Sequence, residues 1–194
     1  MKPTPVTLTG RLIRLEPLGR EHAEDLLAAA AHDKIWTYLD EPTPRTHEAI
    51  DAFISDALHD QEHGQRLPFA VVDLDSGRAI GSTSYIDIRP SDRTLEIGWT
   101  WLTPSHWGTG ANTEAKFLLM RHAFEVLGAG RVAIKTDLRN VRSQRAIERL
   151  GAHREGVWRN HRVLSTGRYR DSVFYSVIDS EWPAIRDKLA ASLA

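Results

Sequence analysis

Two short stretches hold the residues whose types and spacing could do chemistry. The first, residues 95–116, reads LEIGWTWLTPSHWGTGANTEAK; the second begins at Asn140 and includes Ser143. In the first, Leu95, Ile97, Trp99 and Trp101 alternate, which predicts a strand. Glu96 then points to the opposite face, where a carboxylate could serve as a base. Pro104 ends the strand because proline has no N–H for a ladder. Gly108 and Gly110 allow a tight turn and close approach of another molecule. From Ala111 a helical period takes over, with Ala115, Leu118, Leu119, His122, Ala123 and Val126 on one face. A helix whose first N–H groups emerge from a glycine loop binds anions. The backbone from Trp107 through Gly108, Thr109, Gly110 and Ala111 to Asn112 is therefore a candidate pyrophosphate cradle.

Two nucleotide motifs do not fit this loop. A Walker loop needs Lys-Ser or Lys-Thr after its last glycine, and here Ala111-Asn112 follows Gly110. A dinucleotide fingerprint needs a third glycine at position 113, which is Thr113. Without further context the loop could be a plain turn.

The elements that must position these residues follow from periodicity and punctuation. Residues 11–17 alternate as a first strand, 21–33 read as a helix, and a second helix is expected from about Thr46 to His63 with Gly64 as its stop. Two strands, 67–74 and 78–88, are joined at Asp75-Ser76-Gly77, a hairpin signal. The strand and helix of the opening stretch come next, then a strand at 131–137 expected to run parallel to its predecessor through a right-handed crossover. A helix over 140–150, two strands at about 152–161 and 169–178, and a helix over 181–191 complete the chain. This order predicts an α/β (α+β) fold with a mixed, mostly antiparallel sheet of about seven strands and helices on both faces, in one domain spanning 1–194.

Composition restricts the partners. A net charge of −1 provides no global attraction to nucleic acid or anionic lipid. With no cysteine, disulfides, thiolate catalysis and cysteine-bound metal are excluded. No apolar run is long enough to span a membrane, so a cytoplasmic protein is expected. His59 and His63 have metal-ligand spacing, but Asp60 follows His59 and no third ligand is evident; a solvated helix face is the better reading, and no metal is expected.

The order strand, Pro-Ser-His-Trp-Gly-Thr-Gly-Ala, helix, strand, then Asn140, Ser143 and Gly151, resembles the GNAT superfamily of acetyl-CoA-dependent N-acetyltransferases. More closely it resembles the RimJ/RimL-type branch, whose founding members acetylate ribosomal-protein N-termini. Gly10-Arg11-Leu12-Ile13-Arg14-Leu15, Glu96-Ile97-Gly98 and Asp171 with Tyr175-Ser176 extend the resemblance over nearly the whole chain. Ser105 stands where the superfamily often has Gln or Arg, and Ile147 where many members carry a tyrosine acid.

The resemblance implies acetyl transfer from acetyl-CoA to a primary amine, directly and without a covalent acetyl-enzyme. The acceptor would be a protein or peptide N-terminus; the alternatives are a small amine, or a catalytically silent CoA-binding module. A nucleotide-phosphate binder is a further rival, and a homodimer is compatible with the family. Implied roles fall on Glu96 as base, unless it is a cross-strand ion-pair partner or a solvent-facing carboxylate, with Asp87 and His106 as weaker alternatives, and on Ser143 as proton donor to the CoA thiolate, unless it is a plain first-turn helix residue. Asn140 would bond pantetheine or acceptor, unless it is simply a helix N-cap. Gly98 would mark a bulge exposing main-chain N–H groups to the thioester, with residues Glu96 to Trp101 presenting it and Trp99 and Trp101 alongside the cofactor. Trp107 would wall the channel. Arg159, His161, Arg162, Arg168 and Arg170 on the last hairpin could meet the adenosine phosphate of CoA, an acidic acceptor or RNA, the last disfavoured by a net charge near zero, or form an exposed basic edge.

Overall fold

The computed structural model describes residues 1–193. Its centre is one sheet of eight strands in the order β1-β2-β3-β4-β5-β6-β8-β7. The strands are β1 (Leu8–Thr9), β2 (Ile13–Pro17), β3 (Arg66–Asp73), β4 (Ala79–Arg89), β5 (Thr94–Leu102), β6 (Arg131–Asp137), β7 (His153–Val163) and β8 (Tyr169–Ile178). The helices are α1 (Ala23–Ala30), α2 (Asp33–Trp36), α3 (His47–Glu62), α4 (Ala111–Arg121), α5 (Val141–Arg149) and α6 (Trp182–Ser192). Only β5 and β6 pair in parallel; every other neighbour is antiparallel. The strand beyond the expected seven is β1, a two-residue segment pairing with Leu15 and Arg14, too short to carry a period. The first expected strand, 11–17, begins only at Ile13 because Gly10 closes a turn by donating to the Ile13 carbonyl.

Two cores lie on opposite faces. On one, Leu118, Leu119 and Ala123 from α4 and its extension, with Trp182, Ile185 and Leu189 of α6, cover Phe69, Tyr85, Leu95, Ile97, Val132 and Val173. On the other, α1, α2 and α3 bury Leu26, Trp36, Ile50 and Ile54 against Ala70, Val72 and Trp101. Thr46 caps α3 by accepting from the Ala49 N–H at 3.3 Å.

The helix after the glycine loop departs from its expected period. After Arg121 it widens into a π turn over His122–Val126, with the Leu127 N–H donating to the His122 carbonyl. The wider turn rotates later residues off the apolar face, so Val126, expected inward, is 71% exposed.

Candidate active site

The site begins where two parallel strands part. β5 pairs with β6 only through Thr94, Leu95 and Glu96, opposite Arg131, Val132 and Ala133. Beyond Glu96, β6 continues on β8 as far as Asp137, while β5 from Ile97 to Leu102 has no strand partner on that edge among the described residues. A wedge-shaped gap therefore opens in the sheet, with strand backbone available to bind along one wall.

A bulge in β5 shapes this wall. Ser82 pairs with Trp101 and Ser84 with Gly98, so β5 carries one residue more than β4 across the interval. Trp99, rather than Gly98, takes the left-handed conformation, with φ = 50°. The insertion reverses the alternation. Leu95 and Ile97 belong to the core on the α4 face, and so does Leu102, while Trp101 falls in the opposite core. There it lies 5.3 Å from the Trp36 ring and 6.1 Å from Phe53. The expected shared face of Leu95, Ile97, Trp99 and Trp101 is thus broken at the bulge, and the Trp101 side chain packs a core instead of lining the cofactor gap. Trp99 is half-buried, with the Arg66 guanidinium 4.9 Å from its ring.

The glycine loop stands at the end of β5. Gly108 and Gly110 have φ = 80° and 98°, conformations that a side chain would strain. Gly110 is the N-cap of α4 and provides no capping side chain. The Ala111 N–H has only a long contact, 3.4 Å, with Thr109 Oγ1. A Cβ on Gly108 would meet nothing within 4 Å, so that side of the loop is open. Open backbone, uncapped first-turn N–H groups and the helix dipole fit a pyrophosphate. The Arg142 guanidinium stacks 3.6 Å from the Trp107 ring, bringing the start of α5 beside the loop. Asn140 caps α5, accepting from the Ser143 N–H at 3.0 Å. The Arg142–Trp107 contact therefore brings the start of α5, which carries Asn140 and Ser143, next to the loop.

Glu96 lies at the point where the strands part. It is 4% exposed and accepts from Lys135 Nζ at 2.7 Å. Burial raises its pKa, opposed by the Lys135 charge and hydrogen bond. The alternative bases are less well placed. Asp87 is exposed and paired with Arg89 at 3.0 Å. His106 contacts Ser105 Oγ at 3.1 Å and stands 3.8 Å from Asp73. Ile147, at the position of the absent tyrosine, is core.

Several charged residues here lie outside the sequence-based candidates. Lys135 had a signal: in a parallel register with β5 it falls on the face of Glu96. Lys116, on α4, is 5% exposed and donates to Thr100 Oγ1 at 2.5 Å. Burial pushes its pKa down to about 7. Its signal was a cation three residues before Leu119 and seven before Ala123, both apolar-face positions. Arg66 donates to Ser84 Oγ at 2.8 Å, and burial lowers its pKa to about 10. Arg170 is 7% exposed on β8, an inner strand flanked by β6 and β7, so the exposed-edge alternative does not hold for it. Above this face, Asp40 accepts from the Ser165 N–H at 3.0 Å and the Ser165 hydroxyl at 2.8 Å, tying the loop after α2 to the β7–β8 turn.

Known proteins share this fold. Residues 12–153 match the acetyltransferase (GNAT) domain family. A GCN5-related N-acetyltransferase from Brucella melitensis superimposes with a TM-score of 0.94 at 36% identity, over 100% of this chain and 88% of that one. The ribosomal-protein-serine acetyltransferase of Escherichia coli (strain K12) is 30% identical over 102 residues, 53% of this chain and 56% of the relative. RimJ of Mycobacterium smegmatis, solved in complex with CoA-disulfide, shares the fold at 21% identity and a TM-score of 0.84, over 99% of this chain and 97% of that one. No helix among the described residues is long and apolar enough to cross a membrane. With a matched family domain over most of its length, the chain belongs to the GNAT family of acetyltransferases.

Proposed function

We propose that the chain, as one domain over 1–194, transfers the acetyl group of acetyl-CoA directly to a protein or peptide N-terminal α-amine. The observation that carries this reading is the parting of β5 from β6 immediately after Glu96, with the glycine loop at the far end of the same strand. An extended pantetheine arm needs such a split sheet, and a pyrophosphate needs such a loop. The protein acceptor is supported by the named activity of the Escherichia coli relative. A cytoplasmic location goes with this reading, since acetyl-CoA and ribosomal proteins are found there.

In this reading the backbone of residues 107–112 holds the pyrophosphate. Asn140 bonds the pantetheine arm through its amide, and Trp99 and Trp107 border the channel. The bulged backbone of β5 donates N–H to the thioester oxygen as negative charge develops on it. Glu96 takes the proton from the acceptor ammonium, whose pKa of about 8 asks for only modest help. The free amine attacks the carbonyl and the C–S bond breaks; Ser143, directly or through a water, gives its hydroxyl proton to the thiolate and is reprotonated through water by the proton that the nitrogen sheds as it becomes an amide, while Glu96 passes the first proton to solvent.

Mass spectrometry of proteome N-termini with and without the protein tests the acceptor: new acetylated N-termini are expected. Thiol release with small amines alone would reassign the acceptor, and CoA binding without release across a broad amine panel would reduce the protein to a binding module. Glu96→Gln tests the base. Because burial raises the Glu96 pKa, the ascending limb of the wild-type rate lies above the ordinary carboxylate range. Glu96→Gln should remove that limb and lower the rate about 100-fold between it and the amine pKa, with a narrowing gap above. An unaltered pH–rate profile would remove Glu96 from the mechanism.

A further inference from the structure

We propose that Lys116 is a positioning residue for acetyl transfer: its side-chain nitrogen grips the β5 bulge through Thr100 and holds in place the backbone that meets the thioester. This inference rests on the acetyl-transfer reading above. Three observations carry it. Lys116 Nζ donates to Thr100 Oγ1 at 2.5 Å, and Thr100 Oγ1 shares a second hydrogen bond, 2.8 Å, with Thr83 Oγ1. Thr83 lies between Ser82 and Ser84 on β4, and Thr100 between Gly98 and Trp101 on β5, which is the interval holding the inserted residue. The bond therefore closes on the bulge itself. Thr100 Oγ1 also stands 3.4 Å from the Gly98 carbonyl, so the contact spans the turn taken by Trp99.

Stability alone does not account for this lysine. It lies within an α4 face occupied by Ala115, Leu118 and Leu119, its hydrogen-bond partner is an uncharged hydroxyl, and the attraction of the Glu96 carboxylate does not offset its burial. Burying an ammonium on such terms costs stability relative to an apolar side chain of similar length. A bulge whose extra residue is a tryptophan with positive φ has other conformations available, and a donor anchored at Thr100 selects one of them.

Lys116→Met and Thr100→Val separate this role from packing. Lys116→Met is expected to fold with a melting temperature equal to or above that of the wild type, a kcat for thiol release lowered at least tenfold, and a KM for acetyl-CoA within twofold. Thr100→Val should lower kcat similarly, Thr100→Ser should restore it, and the double variant Lys116→Met/Thr100→Val should be no worse than either single. A kcat within twofold of wild type in Lys116→Met overturns the proposal. If that variant does not fold, unchanged kcat in Thr100→Val overturns it equally. A lowered melting temperature with kcat recovered on cooling would assign Lys116 to structure instead. Absence of thiol release by the wild-type protein with any amine would refute the acetyl-transfer reading itself, and the inference with it.

Discussion

The two sides of the gap are built differently. The cradle after β5 is made of backbone: two glycines with positive φ and the uncapped start of α4. The face where Glu96 lies is made of side chains from separate strands, with Lys135 of β6 on Glu96 and Arg170 of β8 near by. A backbone site depends on a few local conformations and tolerates few substitutions. A side-chain site depends on register, and each charge in it is tuned by its neighbours. Cofactor recognition by the first and acceptor chemistry by the second would then respond to mutation separately.

Three substitutions sharpen or break this contrast. The largest effect is expected from Gly110→Val. The backbone there has φ = 98°, and a Cβ would stand 3.1 Å from the Leu12 side chain. CoA affinity measured by calorimetry should fall at least 100-fold, beside a stability cost of about 1–3 kcal/mol from backbone strain. Unchanged affinity would remove the loop from the cofactor site. Next is Lys135→Met, which leaves a buried carboxylate without its partner and should destabilise by about 3 kcal/mol in denaturant unfolding. Its pH dependence has a definite sign. The folded-state pKa of Glu96 is raised, so its contribution to stability is present in acid and is lost as pH rises through that pKa. Removing Lys135 raises the pKa further, so the deficit should be small in acid and grow towards neutral pH. A deficit independent of pH would mean that Glu96 and Lys135 are not coupled. The smallest is Asn140→Ala. Loss of the α5 cap should cost about 1 kcal/mol. A KM for acetyl-CoA that stays unchanged beside that loss would confine Asn140 to capping.

The same contrast explains what was legible in the sequence. Gly108, Gly110 and the apolar period after Ala111 announce loop and helix because each acts locally. The hairpin at residues 75–77 and the parallel crossover between β5 and β6 were legible for the same reason. The side-chain face was not, since Glu96 meets Lys135 only when β5 and β6 have a register. Trp101 went to the wrong face because one inserted residue reverses strand alternation, and the letters Gly-Trp-Thr do not say which residue is the extra one. Val126 went outward because a π turn begins within an otherwise continuous helical pattern. Lys116 was overlooked because a cation among apolar positions resembles a helix-surface residue until the helix is docked.

One carboxylate on α4 has a further consequence. Glu114 accepts from the backbone N–H groups of Arg11, Leu12 and Ile13 at 2.7, 2.8 and 2.9 Å. A Cβ on Gly10 would lie 2.4 Å from that carboxyl carbon, so glycine at position 10 is what lets it approach. An acidic side chain one turn inside an anion-binding helix would ordinarily compete with the anion for the helix's positive end. Here the carboxylate is engaged by backbone donors about a hundred residues earlier in the sequence. The backbone at the start of β2 thereby holds the carboxylate away from the helix's own N–H groups, and Gly10→Val, which would displace it, should weaken phosphate binding without touching a residue of the loop.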